Sequence, residues 1–159
     1  MSSLPRLSHD EDDDEPTSQR ELGFLERTLL QELPAGRDIL VVTIPAPVDS
    51  LERFLRLVPR EVGFLWRSSN LRIAGGGAAI TLAASGEDRL PRLRALAADF
   101  WSRLHVVNSE ESVPVRPVLF GGIAFAPGVP LHEPWQDFAE DTFTLARWTY
   151  YRCGDNSFL

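Results

Sequence analysis

A run of three glycines, Gly75-Gly76-Gly77, is the first feature of the sequence that could bind a ligand. Glycine-rich turns hold dinucleotide phosphates when a helix follows directly, because the helix N-terminus then faces the pyrophosphate. Here Ile80 stands at the third glycine position of that motif, and the segment Ile80-Thr81-Leu82 favours a strand instead of a helix. The run therefore predicts close backbone packing in a β-hairpin, with dinucleotide binding as the less favoured alternative.

Histidine and serine motifs give no clear metal or nucleophile site. His132-Glu133 begins like a zinc-binding helix motif, but Pro134 would disrupt that helix and Gln136 takes the place of the second histidine. The other two histidines, His9 and His105, lie in the N-terminal tail and at a predicted helix end. No Gly-x-Ser-x-Gly turn is present for a hydrolase nucleophile.

Two carboxylate pairs, Glu110-Glu111 and Glu140-Asp141, could in principle act as general acids and bases. Both lie in polar loop sequence, which favours solvated charge. Every basic residue is arginine, so a lysine base, nucleophile or Schiff base is excluded for this chain. The single cysteine, Cys153, allows neither an intramolecular disulfide nor a multi-cysteine metal site, and we expect it to be a packing residue. We assign no catalytic, cofactor-binding or metal-binding residue.

Composition indicates one folded domain preceded by an acidic tail. The chain has 159 residues, of which 43% are hydrophobic, and a net charge of −7. The acids from Asp10 to Glu15 concentrate negative charge in residues 1–18, which have few apolar side chains and are predicted to be disordered. The acidic balance argues against nucleic acid as a partner. The absence of a leader-like N-terminus or a long apolar run argues against a membrane and favours the cytoplasm.

Hydrophobic periodicity predicts the elements that would position these residues. Helices are predicted at 21–33, 51–58 and 88–104, strands at 39–44, 63–67, 71–84, 118–125 and 142–152, and a loop at 106–117.

The predicted core lies between the third helix and the sheet. It is expected to contain the large aromatic residues Trp66, Phe100, Trp101, Phe120 and Phe125.

The end of the sequence predicts an exposed sheet edge. Cys153-Gly154-Asp155-Asn156 favours a turn, and only Ser157-Phe158-Leu159 follows, too little for a full return strand. We therefore expect the strand 142–152 to have an unpaired edge, which would favour self-association.

Several motifs follow one another along the chain: Phe64-Leu65-Trp66, Ala74-Gly75-Gly76-Gly77-Ala78-Ala79, Phe120-Gly121-Gly122-Ile123-Ala124-Phe125, Trp135-x-x-Phe138 and Phe143-x-Leu145-x-Arg147. Taken together, these motifs resemble the amino-terminal part of chorismate-utilising enzymes, and isochorismate synthases are the most similar members. The resemblance extends from about residue 20 to the last residue. Two departures are Ala126, where the family commonly has Asp, and Ala146, where it commonly has Pro.

The resemblance implies an α+β fold, an antiparallel sheet with packed helices like the N-terminal half of the chorismate-utilising enzyme fold. Residues 19–159 would be the N-terminal portion of that domain, truncated before the catalytic half. The complete enzyme would convert chorismate to isochorismate with Mg²⁺, in menaquinone or siderophore synthesis. Its lysine base, glutamic acid and metal-binding glutamates belong to the C-terminal half, so no cofactor is expected in this chain.

The chain alone is therefore expected to be inactive. Its expected partner is the missing catalytic half, or a second copy bound through an exposed sheet edge. Two alternatives stay open: the same portion of an anthranilate or aminodeoxychorismate synthase, and a non-enzymatic interaction module.

Overall fold

The computed structural model describes residues 17–47, 49–59, 62–111, 114–128 and 140–159. These residues form three helices and seven strands, which makes the chain α+β with a mostly antiparallel sheet, as predicted. In chain order the elements are α1 (Thr17–Leu29), β1 (Ile39–Thr43), α2 (Leu51–Leu57), β2 (Gly63–Arg67), β3 (Leu71–Ala84), α3 (Arg89–Arg103), β4 (Leu104–Asn108), β5 (Leu119–Ile123), β6 (Asp141–Cys153) and β7 (Asn156–Phe158).

Two long strands, β3 and β6, form the centre of the main sheet. The strand order is β2-β3-β6-β5, all antiparallel, and β7 also pairs with β6. The pairing of β3 with β6 runs from Leu71 opposite Cys153 to Ala84 opposite Asp141, with a bulge between Ala78 and Ile80. Threonine and aromatic residues favour the extended backbone of β6.

A second, two-stranded sheet joins β1 to β4 in parallel, with Ile39 opposite Leu104 and Thr43 opposite Asn108. The predicted loop at 106–117 is therefore wrong over its first residues, since β4 follows α3 without a break. The pair Val106-Val107 favours an extended backbone, and pairing with the buried β1 satisfies its backbone hydrogen bonds. This tertiary pairing is not visible in the local sequence.

The expected free edge on strand 142–152 is wrong at both ends of the strand, whereas residues 146–150 have no strand partner on one side among the described residues. One side of β6 pairs with β3 along its length, and the other side pairs with β5 at Asp141–Leu145 and with β7 at Tyr151–Cys153. The short return strand β7 forms because its outer side is paired as well. Ile44 and Leu159 exchange two backbone hydrogen bonds of 2.9 Å, and the Ala46 amide donates to the Ser157 carbonyl.

The core is divided into three clusters and is not a single aromatic layer. The first lies between α3 and the sheet around Phe100, the second around Ile73 and Tyr151, and the third under α2 around Tyr150. Of the five predicted core aromatics, Phe100 is fully buried as expected, whereas Phe120 packs against the second cluster.

The remaining three predicted core aromatics are exposed: Trp66 by 58%, Trp101 by 44% and Phe125 by 105%. Their positions explain the error. Trp66 belongs to β2 at the end of the sheet, and Phe125 lies beyond the end of β5. Trp101 follows Phe100 on the helix and is turned away from it by about 100°, so both cannot face the same core.

The first helix begins at Thr17, within the predicted tail, and ends at Leu29 instead of Leu33. Residues 1–16 lie outside the described residues, so the disordered tail stays a prediction. Leu22 and Leu29 of α1 are more than half exposed. Among the described residues, none of the helices is both long and apolar enough to span a membrane.

Candidate functional site

The glycine run lies inside β3 and is not followed by a helix. Gly75 and Gly76 pair with Phe64 and Gly63 of β2 on one side and with β6 on the other. A dinucleotide-binding turn needs a helix N-terminus directed at the phosphates. The strand geometry is incompatible with that role and agrees with the predicted packing role.

Steric contacts explain why glycine is needed at two of these positions. A Cβ atom on Gly75 would overlap the ring of Phe64, and one on Gly76 would overlap the side chain of Val58 just after α2. Gly77 has a φ of 66°, in the left-handed region that favours glycine, next to the bulge in β3. The glycines therefore allow the Phe64 ring to pack over Gly75 and the end of α2 to pack over Gly76.

Phe64 and Phe120 come from the two outer strands of the main sheet and stack on each other. Their ring centroids are 3.2 Å apart and their planes differ by 19°. The rings can meet because the strands between them carry small residues, Gly75 on β3 and Ala146 on β6, which lie 3.0 Å apart when a Cβ is placed on the glycine. Two of the motifs that carry the family resemblance are thus joined in one contact.

Gly121, in the glycine pair of β5, lies in close contact with the neighbouring strand β6. A Cβ there would overlap the backbone of Thr142 and Phe143 in the neighbouring strand, whereas Gly122 has open space. The pairing of β5 with β6 is regular, without a bulge.

The carboxylate pair Glu140-Asp141 differs from the predicted solvated pair. Asp141 has no exposed surface, and its Oδ1 accepts hydrogen bonds of 3.1 Å from Nε of Arg89 and from the amide of Ala124. Nη2 of Arg89 donates to the Ala124 carbonyl at 2.9 Å. The ion pair connects the first turn of α3 to the start of β6 and to the residue after β5.

Sequence reasoning missed this ion pair although a signal for it was present. Arg89, Leu93 and Phe100 are the buried residues of α3, at spacings of four and seven that place them on one helical face. A buried arginine needs a carboxylate or other acceptors, because an unpaired charge in the core is costly. The position of Arg89 on the apolar stripe thus indicated a buried acidic partner without identifying it.

Glu140 is half-buried and has a separate structural role. Its two carboxylate oxygens accept hydrogen bonds of 2.9 Å from the amides of Gly86 and Gly128. These backbone bonds, the Gly86 bond first, lower the pKa of Glu140 below its ordinary value, and the charge of Arg89 adds to the effect. A carboxylate held in its ionised form by two amides fixes loops and is poorly suited to donate a proton.

Two adjacent tyrosines of β6 fasten loops to opposite sides of the sheet. The Tyr150 hydroxyl donates to the Pro47 carbonyl and accepts from the Asp49 amide, both at 2.9 Å. The Tyr151 hydroxyl donates to the Arg116 carbonyl at 2.9 Å. Burial raises the pKa of Tyr151 to about 12. Both hydroxyls are engaged with the backbone.

The remaining candidates from the sequence are not brought together. Glu110 and Glu111 are exposed, as expected for solvated charge, and Cys153 is a half-buried free thiol. His105 is half-buried in β4, whereas His9 and the segment from His132 to Gln136 lie outside the described residues. The motif Trp135-x-x-Phe138 lies outside them as well. No three His, Cys, Asp or Glu side chains are clustered for a metal ion in the part of the chain that the structure describes.

The comparisons with known proteins complete the assignment. Residues 32–159 match the family described as Chorismate binding enzyme. The chain belongs to this family. The match includes the glycine run, the Phe64–Phe120 stack and the Arg89–Asp141 ion pair, which together hold the sheet and α3 in the arrangement described above.

A relative in this family is the salicylate biosynthesis isochorismate synthase of Pseudomonas aeruginosa. It is 31% identical over 136 residues, which cover 84% of this chain and 28% of that protein. The chain thus matches little more than a quarter of the relative's length. No solved structure matches.

Proposed function

We propose that this chain is the non-catalytic framework of an isochorismate synthase, corresponding to the N-terminal half of the chorismate-utilising fold. The complete enzyme would isomerise chorismate to isochorismate. The observation that carries the proposal is the 31% identity to an isochorismate synthase across 84% of the chain. In this proposal the catalytic groups come from a further segment or from a separate chain, and residues 17–159 supply a sheet on which that part folds.

The chemistry of the reaction supports a framework role. Attack of water on the ring needs a positioned base, and loss of the hydroxyl needs an acid. The resemblance assigns the base to a lysine, and the 159 residues contain none. The buried carboxylate Asp141 is bound to Arg89, and Glu140 is bound to two backbone amides. Neither side chain is free to serve as the acid.

The described residues also do not fit a Mg²⁺ site. Magnesium prefers an octahedral set of oxygen ligands with few protein carboxylates placed beside the substrate. Within the described ranges no cluster of three candidate ligands occurs, and the one buried carboxylate already forms an ion pair. We therefore place the Mg²⁺ of the complete enzyme outside this framework.

The free edges of the main sheet are the proposed contacts with the catalytic part or with a second copy. Among the described residues, β2 and β5 each pair on one side only. β3 is paired with β2 only through residues 72–76, with further backbone bonds from the Gly77 amide to the Val62 carbonyl and from the Ser68 amide to the Leu71 carbonyl. Unpaired edges offer backbone groups to an added strand. The same edges support the second candidate function, a non-enzymatic interaction module.

The proposal also includes the pathway that uses the product and the cellular compartment of the enzyme. Isochorismate feeds menaquinone or siderophore synthesis, and we place the enzyme in the cytoplasm. An anthranilate or aminodeoxychorismate synthase is the alternative within the family, because the framework would be shared and the product is decided by the catalytic part.

A chimera tests the proposal directly. The 136-residue matched region of the Pseudomonas aeruginosa isochorismate synthase would be replaced by the corresponding part of this chain. We expect the chimera to convert chorismate to isochorismate with Mg²⁺, while this chain alone gives no isochorismate above the buffer control. Deletion of the matched region is the negative control, and the intact relative is the positive control.

Three outcomes would contradict the proposal. Isochorismate formed by the isolated chain would remove the framework role. A chimera that is monodisperse and folded yet inactive would favour the interaction module. Full activity of the relative after deletion of its matched region would show that no framework is needed there.

A further inference from the structure

Three arginines lie side by side on adjacent strands at one end of the main sheet. Arg67 of β2 is opposite Arg72 of β3, and Arg72 is opposite Arg152 of β6. The next residue in this row is Ser157 of β7, opposite Arg152. Residues directly opposite each other lie on the same face of a sheet, about 5 Å apart. The row therefore concentrates positive charge on one surface.

Like charges directly opposite each other destabilise a sheet unless another group compensates them. Arg67 is compensated, because it forms an ion pair with Glu52 of α2. In the described part of the chain, no carboxylate lies within 4.0 Å of the guanidinium of Arg72 or of Arg152. Asp155, in the turn after β6, is exposed and forms no ion pair with either of them. Two neighbouring arginines are thus left without a counter-charge among the described residues.

Ser157 adds a second, independent observation. The residue is 5% exposed, and its Oγ has no hydrogen-bond partner among the described residues. Its backbone carbonyl is occupied by the Ala46 amide. Buried hydroxyl groups are normally hydrogen-bonded, so Ser157, opposite Arg152, extends the row of polar groups without a partner as far as β7.

The surface beside the two arginines is concave and has both polar and apolar lining atoms. Its volume is about 340 Å³, and it is lined by Ser69, Asn70, Arg72, Arg152, Cys153 and Gly154. The turn between β2 and β3 and the turn between β6 and β7 form its walls. Arginine side chains can donate two parallel hydrogen bonds to one carboxylate or phosphate, and the serine and amide side chains can donate further bonds.

We propose that Arg72 and Arg152 bind a small anion that carries a carboxylate or phosphate group. The anion supplies the missing counter-charge between the opposed arginines. The site is independent of the proposed isochorismate synthase role, since it is formed by this chain alone and lies at the hairpin end of the sheet.

Calorimetric titration of the full chain tests the site, with inorganic phosphate in one arm and succinate in the other, at constant ionic strength set with sodium chloride. We expect saturable binding in at least one arm. Arg72→Gln and Arg152→Gln should each weaken it about tenfold or more, since a charge-assisted hydrogen bond is lost. The matched control Arg94→Gln removes an exposed arginine of α3 and should leave the affinity unchanged.

Thermal unfolding separates loss of the site from loss of the fold. Without added anion, Arg152→Gln should unfold at the same temperature as the unaltered chain or higher, because repulsion from Arg72 is removed. With phosphate or succinate, the unfolding temperature should rise for the unaltered chain and for Arg94→Gln, and stay constant for Arg152→Gln. Arg72→Lys keeps the charge without the two-pronged geometry and should bind more weakly than arginine.

Binding of phosphate alone would identify the ligand class as phosphate, and binding of succinate alone would identify it as carboxylate. No saturable binding in either arm would overturn the site. Equal affinities in the unaltered chain and both glutamine variants would overturn it too.

Discussion

Phe64 and Phe120 stack at a centroid distance of 3.2 Å although they belong to the first and last strands of a four-strand path. The contact depends on small residues beneath the rings, because a Cβ at Gly75 would overlap Phe64. The stack thus connects β2 to β5 across the face of the sheet without any direct strand pairing between them.

The stack predicts energetic coupling between the two rings. Phe64→Ala and Phe120→Ala should each cost about 2–3 kcal/mol, less than for a fully buried phenylalanine because both rings are partly exposed. The double variant should be less destabilised than the sum by roughly 0.5–1.5 kcal/mol, the coupling of an aromatic pair. Urea unfolding of the four proteins measures it, and strict additivity would show that the rings do not interact.

Gly75 should tolerate no side chain as long as Phe64 is present. Gly75→Ala is expected to destabilise by about 1–3 kcal/mol through overpacking. In a Phe64→Ala background the same change should cost less, because the ring that it meets is gone. Gly122→Ala is the matched control, since its Cβ would enter open space in β5. An equal cost of Gly75→Ala in both backgrounds would contradict the steric explanation.

Phe100 should be the most sensitive aromatic position of α3. It is fully buried. The ring of its neighbour Trp101 packs edge-on against it, with the ring centroids 4.7 Å apart, and Trp101 is 44% exposed. Phe100→Ala is expected to cost about 3–5 kcal/mol, and Trp101→Ala less than half as much. Denaturant midpoints give both values. A larger loss from Trp101→Ala would mean that the helix presents its other face to the sheet.

Removing one partner of the Arg89–Asp141 ion pair should lower the free energy of unfolding strongly, whereas replacing both partners with apolar residues should lower it little. Asp141→Asn leaves a buried guanidinium without its counter-charge and is expected to cost about 3–5 kcal/mol, as is Arg89→Met for the opposite reason. The double change Arg89→Met with Asp141→Leu should lie closer to the unaltered chain than either single one.

An exposed ion pair provides the comparison. Arg103→Gln removes pairs with Asp38 and Asp99, all of whose side chains are at least 40% exposed, and should change stability by less than about 1 kcal/mol. If the double change at Arg89 and Asp141 cost the full sum of the single changes, the two side chains would not be coupled.

The hydrophobic pattern of the sequence predicted most of the helices and strands, because the residues that define each of these elements are close together in the chain. The stripe of α3 and the alternation in β6 gave bounds within a residue or two. The pairing of β4 with β1 and of β7 with the segment after β1 could not be predicted. Such pairings join residues far apart in sequence, and their stability comes from tertiary hydrogen bonds.

The candidate sites likewise include features that local sequence predicts and features that depend on tertiary contacts. The packing role of Gly75 could be predicted, since Ile80-Thr81-Leu82 continues the strand. The burial of Asp141 could not, because a carboxylate before a strand has the same local pattern whether or not an arginine lies above it. Arg72 and Arg152 are 80 positions apart, and only the strand register places them opposite each other.

Alkaline stability should be dominated by Tyr151. Its folded pKa is raised to about 12 by burial, above the ordinary value of 10.0 that applies in the unfolded chain. A raised pKa stabilises the fold fully below pH 10, and this contribution is lost as the pH rises from about 10 to about 12, where only the unfolded state ionises. Two pKa units correspond to roughly 2–3 kcal/mol.

The composition makes this effect easy to isolate, because the chain has no lysine and only two tyrosines. The urea midpoint of the unaltered chain should therefore be lower near pH 11.5 than at pH 9. In Tyr151→Phe the midpoint should change much less between these two pH values, although this variant lacks the hydrogen bond to the Arg116 carbonyl at both of them. Tyrosinate absorbance in the folded protein should report the late ionisation. A Tyr151→Phe variant with the same alkaline loss as the unaltered chain would show that another group titrates, and the burial of the Tyr151 hydroxyl would then not control stability in this range.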